Sequence, residues 1–283
     1  MTVAQGGSSV SDVVVALVAE VRHRWPDAAI AGVGVGATGL ASLVGSPDEA
    51  ATRISEAADG APVVLAIDAV TAHLGALGGR GGAVVAVGTG SIAIGTDLAD
   101  HWKRVGGWGH LYDDRGSGAW IGIEALKAAI RTHDGVTTDA AALLAAAVAR
   151  FGAAPSWPAQ LLTRSDRAGV LAGFAADVGA LAASGEPVAV DIMARAGAEV
   201  AATLAAALDP GVPALAAGTG GVFGAGGAFT AAFEREFARL APHAELVASA
   251  GTPLDGAVQL ARLAAAGDAP AQHPPFIWTS ERS

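Results

Sequence analysis

The chain has 283 residues, a formal net charge of −10 and no cysteine, a length that can bury a sizeable core in one large or two modest domains. The lack of cysteine excludes disulfides, thiolate zinc sites, iron–sulfur clusters and a cysteine nucleophile, and 17 Lys and Arg against 27 Asp and Glu leave no clustered basic surface for a nucleic acid. The mean hydropathy of +0.45 comes largely from Ala and Gly; no uncharged run of ~20 residues stands out as a membrane span and the start lacks the pattern of a signal peptide, so a soluble cytoplasmic protein is expected.

In chain order, SVSDVVVALVAEVRHRW (9–25) reads as a helix, with Ser9 or Ser11 as its N-cap and Pro26 as its stop. AIAGVGVG (29–36) reads as a buried strand, a helix is expected near 47–58, and PVVLAID (62–68) is a second strand that ends on an acid. Helices alternating with near-continuous apolar strands belong to an α/β sheet covered by helices. Residues around 82–95 form two apolar runs broken by Gly88-Thr89-Gly90-Ser91, the pattern of a β-hairpin, and are taken to begin a second domain. Four alanine-rich helical segments follow at 118–133, 138–151, 166–183 and 187–208. VPALAAG (212–218) reads as a strand running into Thr219-Gly220-Gly221, followed by a helix at 226–240, a short strand ELVAS (245–249) and a helix at 253–267. The proline-containing tail from Asp268 is expected to be extended and loosely held. The resulting division is 1–80, 81–268 and a tail at 269–283.

The Gly-Thr-Gly-Ser turn at the end of a buried strand offers backbone N–H groups and hydroxyls to an anion, since glycine lets the chain curl without a Cβ clash. The same four residues also make a good hairpin turn that needs nothing bound. Downstream, GGWGHLYDDRGSG (106–118) combines flat aromatic surface with two acids, a combination that suits a sugar: a ring supports a pyranose face and carboxylates accept from hydroxyls. Asp113 and Asp114 could equally cap the helix that follows, and His110 could be a satisfied loop histidine. Trp120 is expected to pack in the core.

Four segments taken together, IDAVTAHLGAL (67–77), VVAVGTGSIAIG (84–95), GGWGHLYDDRGSGAWIG (106–122), and AAGTGGVF (216–223) with PLDGAVQLA (253–261), resemble the N-acetylglucosamine kinase group of the BadF/BadG/BcrA/BcrD-type ATPases, within the sugar kinase, Hsp70 and actin superfamily. The resemblance implies two ribonuclease-H-like domains around a cleft that takes ATP, Mg²⁺ and a sugar, and pairing of the chain into a homodimer. Family members open with a strand carrying an Asp-x-Gly-Gly-Thr turn, the first phosphate loop. Met1-Thr2 aligns where such proteins enter their first helix, so the first domain is expected to be incomplete at its N-terminus, through a start assigned downstream or through truncation.

By the same resemblance Asp68 is the general base for phosphoryl transfer, though an Asp between strand and helix also serves as an N-cap. Gly88, Thr89, Gly90 and Ser91 become the second phosphate loop; Gly107, Trp108 and Asp114 become sugar-binding residues; Thr219, Gly220 and Gly221 lie along the adenosine. Relatives commonly carry a second acid after the sugar-binding one, where this chain has Arg115. Asp255 is expected to cap its helix. No protein metal ligands are assigned, because Mg²⁺ is held largely by phosphates and water. The implied reaction is phosphorylation of N-acetylglucosamine or glucosamine, at the 6-hydroxyl; the alternative is a catalytically degenerate sugar- or nucleotide-binding relative that senses or contacts a partner. Activation of a 2-hydroxyacyl-CoA dehydratase, known among cousins that ligate an iron–sulfur cluster, is excluded by the missing cysteines.

Overall fold

The computed structural model describes residues 9–40 and 46–280. Helix α1 (Ser9–Arg24) leads to strand β1 (Val33–Ala37), helix α2 (Pro47–Ala57), strand β2 (Val63–Ile67) and helix α3 (Asp68–Leu77). Ser11 lies inside α1, where its hydroxyl accepts from the Arg53 guanidinium at 3.2 Å; what precedes Ser9 lies outside the described residues. The expected strand at 29–36 starts later, since pairing with β2 runs in parallel register only from Val33↔Val63 to Ala37↔Ile67. β2 is buried throughout, as a strand covered on both faces must be. Ser46 caps α2 by accepting from the Glu49 amide, with Pro47 at the first helical position. Gly78, with φ of 60°, closes α3 in the left-handed conformation that favours glycine.

The second sheet has five strands in the order β5-β4-β3-β6-β7. β3 (Gly82–Val87), β4 (Ser91–Thr96) and β5 (Trp102–Gly106) form an antiparallel meander. Helices α4 (Gly118–His133), α5 (Ala141–Phe151), α6 (Trp157–Leu162), α7 (Arg167–Ala183) and α8 (Pro187–Ala207) follow. β6 (Leu215–Thr219) then lies parallel to β3, and after α9 (Gly227–Leu240) comes β7 (Glu245–Val247), parallel to β6. The core of this unit places Phe174, Phe229 and Phe237 with the inward faces of β3 and α8. β5 and α6 escaped the sequence reading: WKRVG is half-buried along its length and carries two cations, and α6 is a six-residue turn of helix.

The last helix, α10 (Pro253–Ala266), returns to the first sheet. A Cβ at Gly34 would lie 2.2 Å from the Ala257 carbonyl oxygen, and one at Gly256 would lie 2.0 Å from that of Thr71, so the helix rests directly on β1 and α3. As expected, Asp255 caps α10, in a reciprocal capping box with Thr252. The tail is a structural element and not a loose extension. Strand β8 (Ile277–Thr279) pairs antiparallel with β2, and Phe276, Ile277 and Trp278 are buried, because the free edge of β2 and the Trp102 ring, stacked on Phe276 with centroids 5.4 Å apart, give this apolar segment a surface to cover.

The fold is α/β with two mixed sheets, and it repeats itself. The parallel pair β1–β2 of the first sheet, joined through α2, corresponds to the parallel pair β6–β7 of the second, joined through α9. In the second sheet β6 is flanked by β3; the corresponding edge of β1 has no strand partner among the described residues. Among those residues no single helix is long and apolar enough to cross a membrane.

Candidate active site

The hairpin turn expected at 88–91 joins β3 to β4, with Val87 opposite Ser91. Its carbonyls face the start of α4: Gly118 N–H donates to Gly88 O at 2.9 Å and Ala119 N–H to Thr89 O at 3.2 Å. Two of the orphan amides of that helix are thereby satisfied by the turn itself. Within the turn, Gly88 N–H donates to Gly90 O and the Ser91 amide to Asp114. The amides of Thr89 and Gly90 are left without a partner among the described residues, and the Ser91 hydroxyl is buried with none either. Buried polar groups are almost always satisfied, so the Ser91 hydroxyl, next to the solvent-accessible amides of Thr89 and Gly90, marks a place that fits an anionic, oxygen-rich ligand.

The glycine–tryptophan loop packs against this turn. Gly107, with φ of 74°, has no room for a side chain, since its Cβ would sit 2.9 Å from the Ile92 Cδ1 atom. Arg104 holds the bend by donating to the carbonyls of Gly106 and Gly107, and its guanidinium carbon lies 4.5 Å above the Trp108 ring. Trp108 is otherwise open to solvent, 69% exposed as a residue. Asp114 is buried, in a left-handed backbone conformation with φ of 51° that Asp tolerates better than most residues. Its carboxylate accepts from Gly109 N–H at 3.2 Å and lies where a Cβ on Gly90 would meet its Oδ2 at 2.8 Å. Burial pushes the Asp114 carboxyl up from the ordinary Asp value, against the pull of the Gly109 amide, with the Asp113 charge adding to the rise. His110 lies close enough to interact with the same carboxylate, but its Nε2 is buried without a partner; the sequence reading of a satisfied loop histidine is corrected here. Arg115 points away from this corner, into an ion pair with Glu199 of α8 at 3.0 Å. Trp120 is half-buried against the core beneath the Arg195 guanidinium.

Beside the turn opens a cavity of about 700 Å³. Gly88 and Thr89 form one wall, the turn Gly221–Ala225 another, and the Ala172, Ala176 and Ala180 face of α7 the third. Of the three residues expected along an adenosine, Gly221 lines this cavity. Thr219 ends β6 opposite Ala86, and Gly220, with φ of 108°, lets the chain pass Val87, whose carbonyl oxygen would lie 2.3 Å from a Cβ there. The α7 wall was missed. Its small residues recur at helical spacing in RAGVLAGFAADVGALAA, a signal that reads equally as close helix packing, and one side of α7 is used that way: a Cβ on Gly122 of α4 would be 2.1 Å from the Leu171 carbonyl oxygen.

A family model described as the BadF/BadG/BcrA/BcrD ATPase family matches residues 3–261. The chain belongs to that family. Over 72 residues it is 43% identical to an N-acetylmuramic acid/N-acetylglucosamine kinase of Clostridium acetobutylicum, a match covering 25% of this chain and 24% of the relative. The chain thus matches about a quarter of that curated relative's length. Among solved structures it resembles a candidate N-acetylglucosamine kinase from Chromobacterium violaceum, with TM-score 0.64, 27% identity, and 90% of this chain and 88% of that one covered. A glucokinase of the ROK family from Streptomyces griseus, solved with glucose and AMPPNP, shares the fold at TM-score 0.57 and 20% identity, over 90% of this chain and 89% of that one. The fold of this BadF/BadG/BcrA/BcrD family member is that of the actin-like sugar kinases.

Asp68 stands on the other sheet, where β2 ends and α3 begins. Its side chain is exposed and accepts from the Thr38 hydroxyl, at the end of β1, and from Ala69 N–H at 2.9 Å. The carboxylate therefore serves its own helix in part, while Thr38 fixes the second oxygen's direction. Among the described residues no group of three or more His, Asp and Glu is placed to hold a metal ion.

Proposed function

We propose that this family member is a cytoplasmic, ATP-dependent kinase for an amino sugar, N-acetylglucosamine or glucosamine, acting at the 6-hydroxyl. The observation that carries this reading is the polar corner at Asp114, where the Ser91 hydroxyl and His110 Nε2 are buried without a partner and the accessible amides of Thr89 and Gly90 are free to donate. Gly88 and Thr89 of the same turn line a cavity large enough for a nucleoside, so the turn offers donors for phosphate oxygens and Asp114, packed against Gly90, a carboxylate for sugar hydroxyls. In this reading the base lies in the alanine-lined cavity and the phosphates run to the Gly88–Ser91 turn. The sugar rests at Gly107 and Trp108, with Asp114 accepting from its hydroxyls. Asp68, its geometry set by Thr38 and Ala69, takes the proton of the 6-hydroxyl as that oxygen attacks the γ-phosphorus and ADP leaves in line. Mg²⁺, when bound with the nucleotide, neutralises charge on the transferring phosphoryl group; the chain's share is to position the triphosphate and keep the acceptor oriented.

The test is ADP release from ATP in the presence and absence of N-acetylglucosamine or glucosamine, with product analysis for the 6-phosphate. Sugar-dependent ADP is expected. A folded sample that binds neither ATP nor sugar contradicts the reading. Binding of sugar without ADP formation favours the second reading, a non-catalytic sugar or nucleotide sensor. The proposal includes a homodimer, since the exposed Val13, Leu17 and Val21 of α1 offer pairing surface; a monomer in sedimentation velocity would remove this part.

A further inference from the structure

We infer that the nucleotide site recognises the triphosphate and not the base, so that the donor class is purine nucleoside triphosphates in general. The inference rests on the nucleotide reading of the cavity given above. Every residue that lines the cavity, Thr89 excepted, carries an apolar side chain or none, and Thr89 belongs to the turn assigned to the phosphates. The wall opposite the turn is the α7 face on which Ala172, Ala176 and Ala180 follow one another; its backbone groups are engaged in the helix and present nothing to a ring edge. Val222 and Ala225 close the other side, and Met193 contributes a soft, adaptable surface at the floor. Arg150, whose guanidinium would lie 2.6 Å from a Cβ on the lining residue Gly173, is held by Asp177 at 2.6 Å, and neither of the pair lines the cavity.

Discrimination between bases depends on this chemistry. A site that hydrogen-bonds an edge rejects the wrong base strongly, because its own buried polar groups are then left unpaired; an apolar slot can weigh only shape and area, which separates close analogues weakly. Adenine and guanine differ in their edge groups and hardly in area. Stacking between alanine methyls and Val222 is therefore available to both, while the turn at Gly88–Ser91 meets the same phosphates in each case.

Displacement of a fluorescent ribose-labelled ATP from the full chain, without sugar, tests this, with ATP, GTP and ITP as competitors. The three are expected to displace the probe with affinities within about tenfold of one another, and Ala176→Phe is expected to weaken all three together by filling the slot. A preference for ATP above about a hundredfold overturns the inference and would show main-chain groups of the Gly221–Ala225 turn reading the base, with the nucleotide reading intact. Failure of every nucleotide, the labelled one included, overturns both.

Discussion

Gly88→Ala separates a phosphate loop from an ordinary hairpin turn. A Cβ built at Gly88 meets nothing within 4 Å, and the residue does not adopt the left-handed φ that would strain an alanine. Gly88 also lines the cavity, so the added methyl projects into space that belongs to the ligand and to no protein atom. The folded state should be indifferent to it, and the loss of unfolded-chain entropy should stabilise the variant by about 0.4–1 kcal/mol. For a triphosphate drawn close to the turn, the methyl is a different matter: displacing a reacting group by ~1 Å costs on the order of a hundredfold. The expected signature is a urea midpoint equal to or above that of the wild type, together with a fall of at least about tenfold in ATP affinity or in kcat/KM. Gly90→Ala gives the contrast, because its Cβ falls 2.8 Å from Asp114 Oδ2 and so moves the sugar-side carboxylate. A Gly88→Ala protein that is as stable as expected and binds ATP unchanged would refute the reasoning and leave the turn as a turn.

Asp114→Asn should cost little stability at neutral pH, since burial already disfavours the charge, and should weaken sugar binding by about tenfold or more, the worth of a charge-assisted hydrogen bond; isothermal titration reads the second and denaturation the first. Because burial raises this carboxyl, the folded state binds the proton more readily than the unfolded one. Between the ordinary and the raised value, its contribution to stability therefore grows as pH falls, and the Asn variant should lack that gain. His73 behaves in the opposite sense. It is fully buried, Nε2–H donates to Gly82 O at 3.0 Å across the α3–β3 contact, and burial lowers its pKa to about 4, the hydrogen bond opposing the fall. The unfolded chain takes up the proton first, so stability should fall as pH drops from 6.5 towards 4, by on the order of 3 kcal/mol, and His73→Phe should flatten that slope in urea titrations at several pH values; an unchanged slope would contradict the assignment.

How much of this was legible in the sequence depended on whether a residue's role was local. The hairpin at 82–96, the alanine-rich helices and the capping box at Thr252 and Asp255 are local, and their boundaries came within a few residues. β5 was not legible, because WKRVG on a sheet edge has neither alternation nor an apolar run. The tail was misjudged for a related reason: Phe276 to Trp278 become a strand only through β2, some 210 residues earlier in the chain. At the site, glycine and aspartate motifs announced themselves, but the unpaired atoms did not. That His110 Nε2 lacks a partner and that the α7 alanines face a cavity are properties of packing between distant elements. Arg115, unusual as a sequence feature, is explained by Glu199, 84 positions downstream.

The central claim, that this family member transfers a phosphoryl group to a sugar with Asp68 as base, is tested most directly by Asp68→Asn. The amide keeps an oxygen to accept from Thr38 or Ala69 but cannot take a proton. Turnover, measured as sugar-dependent ADP release, should fall by about 10²–10⁴-fold, with ATP and sugar affinities unchanged by titration. Turnover close to wild type would contradict the account, and with it the reading of Asp68 as anything more than the first residue of α3.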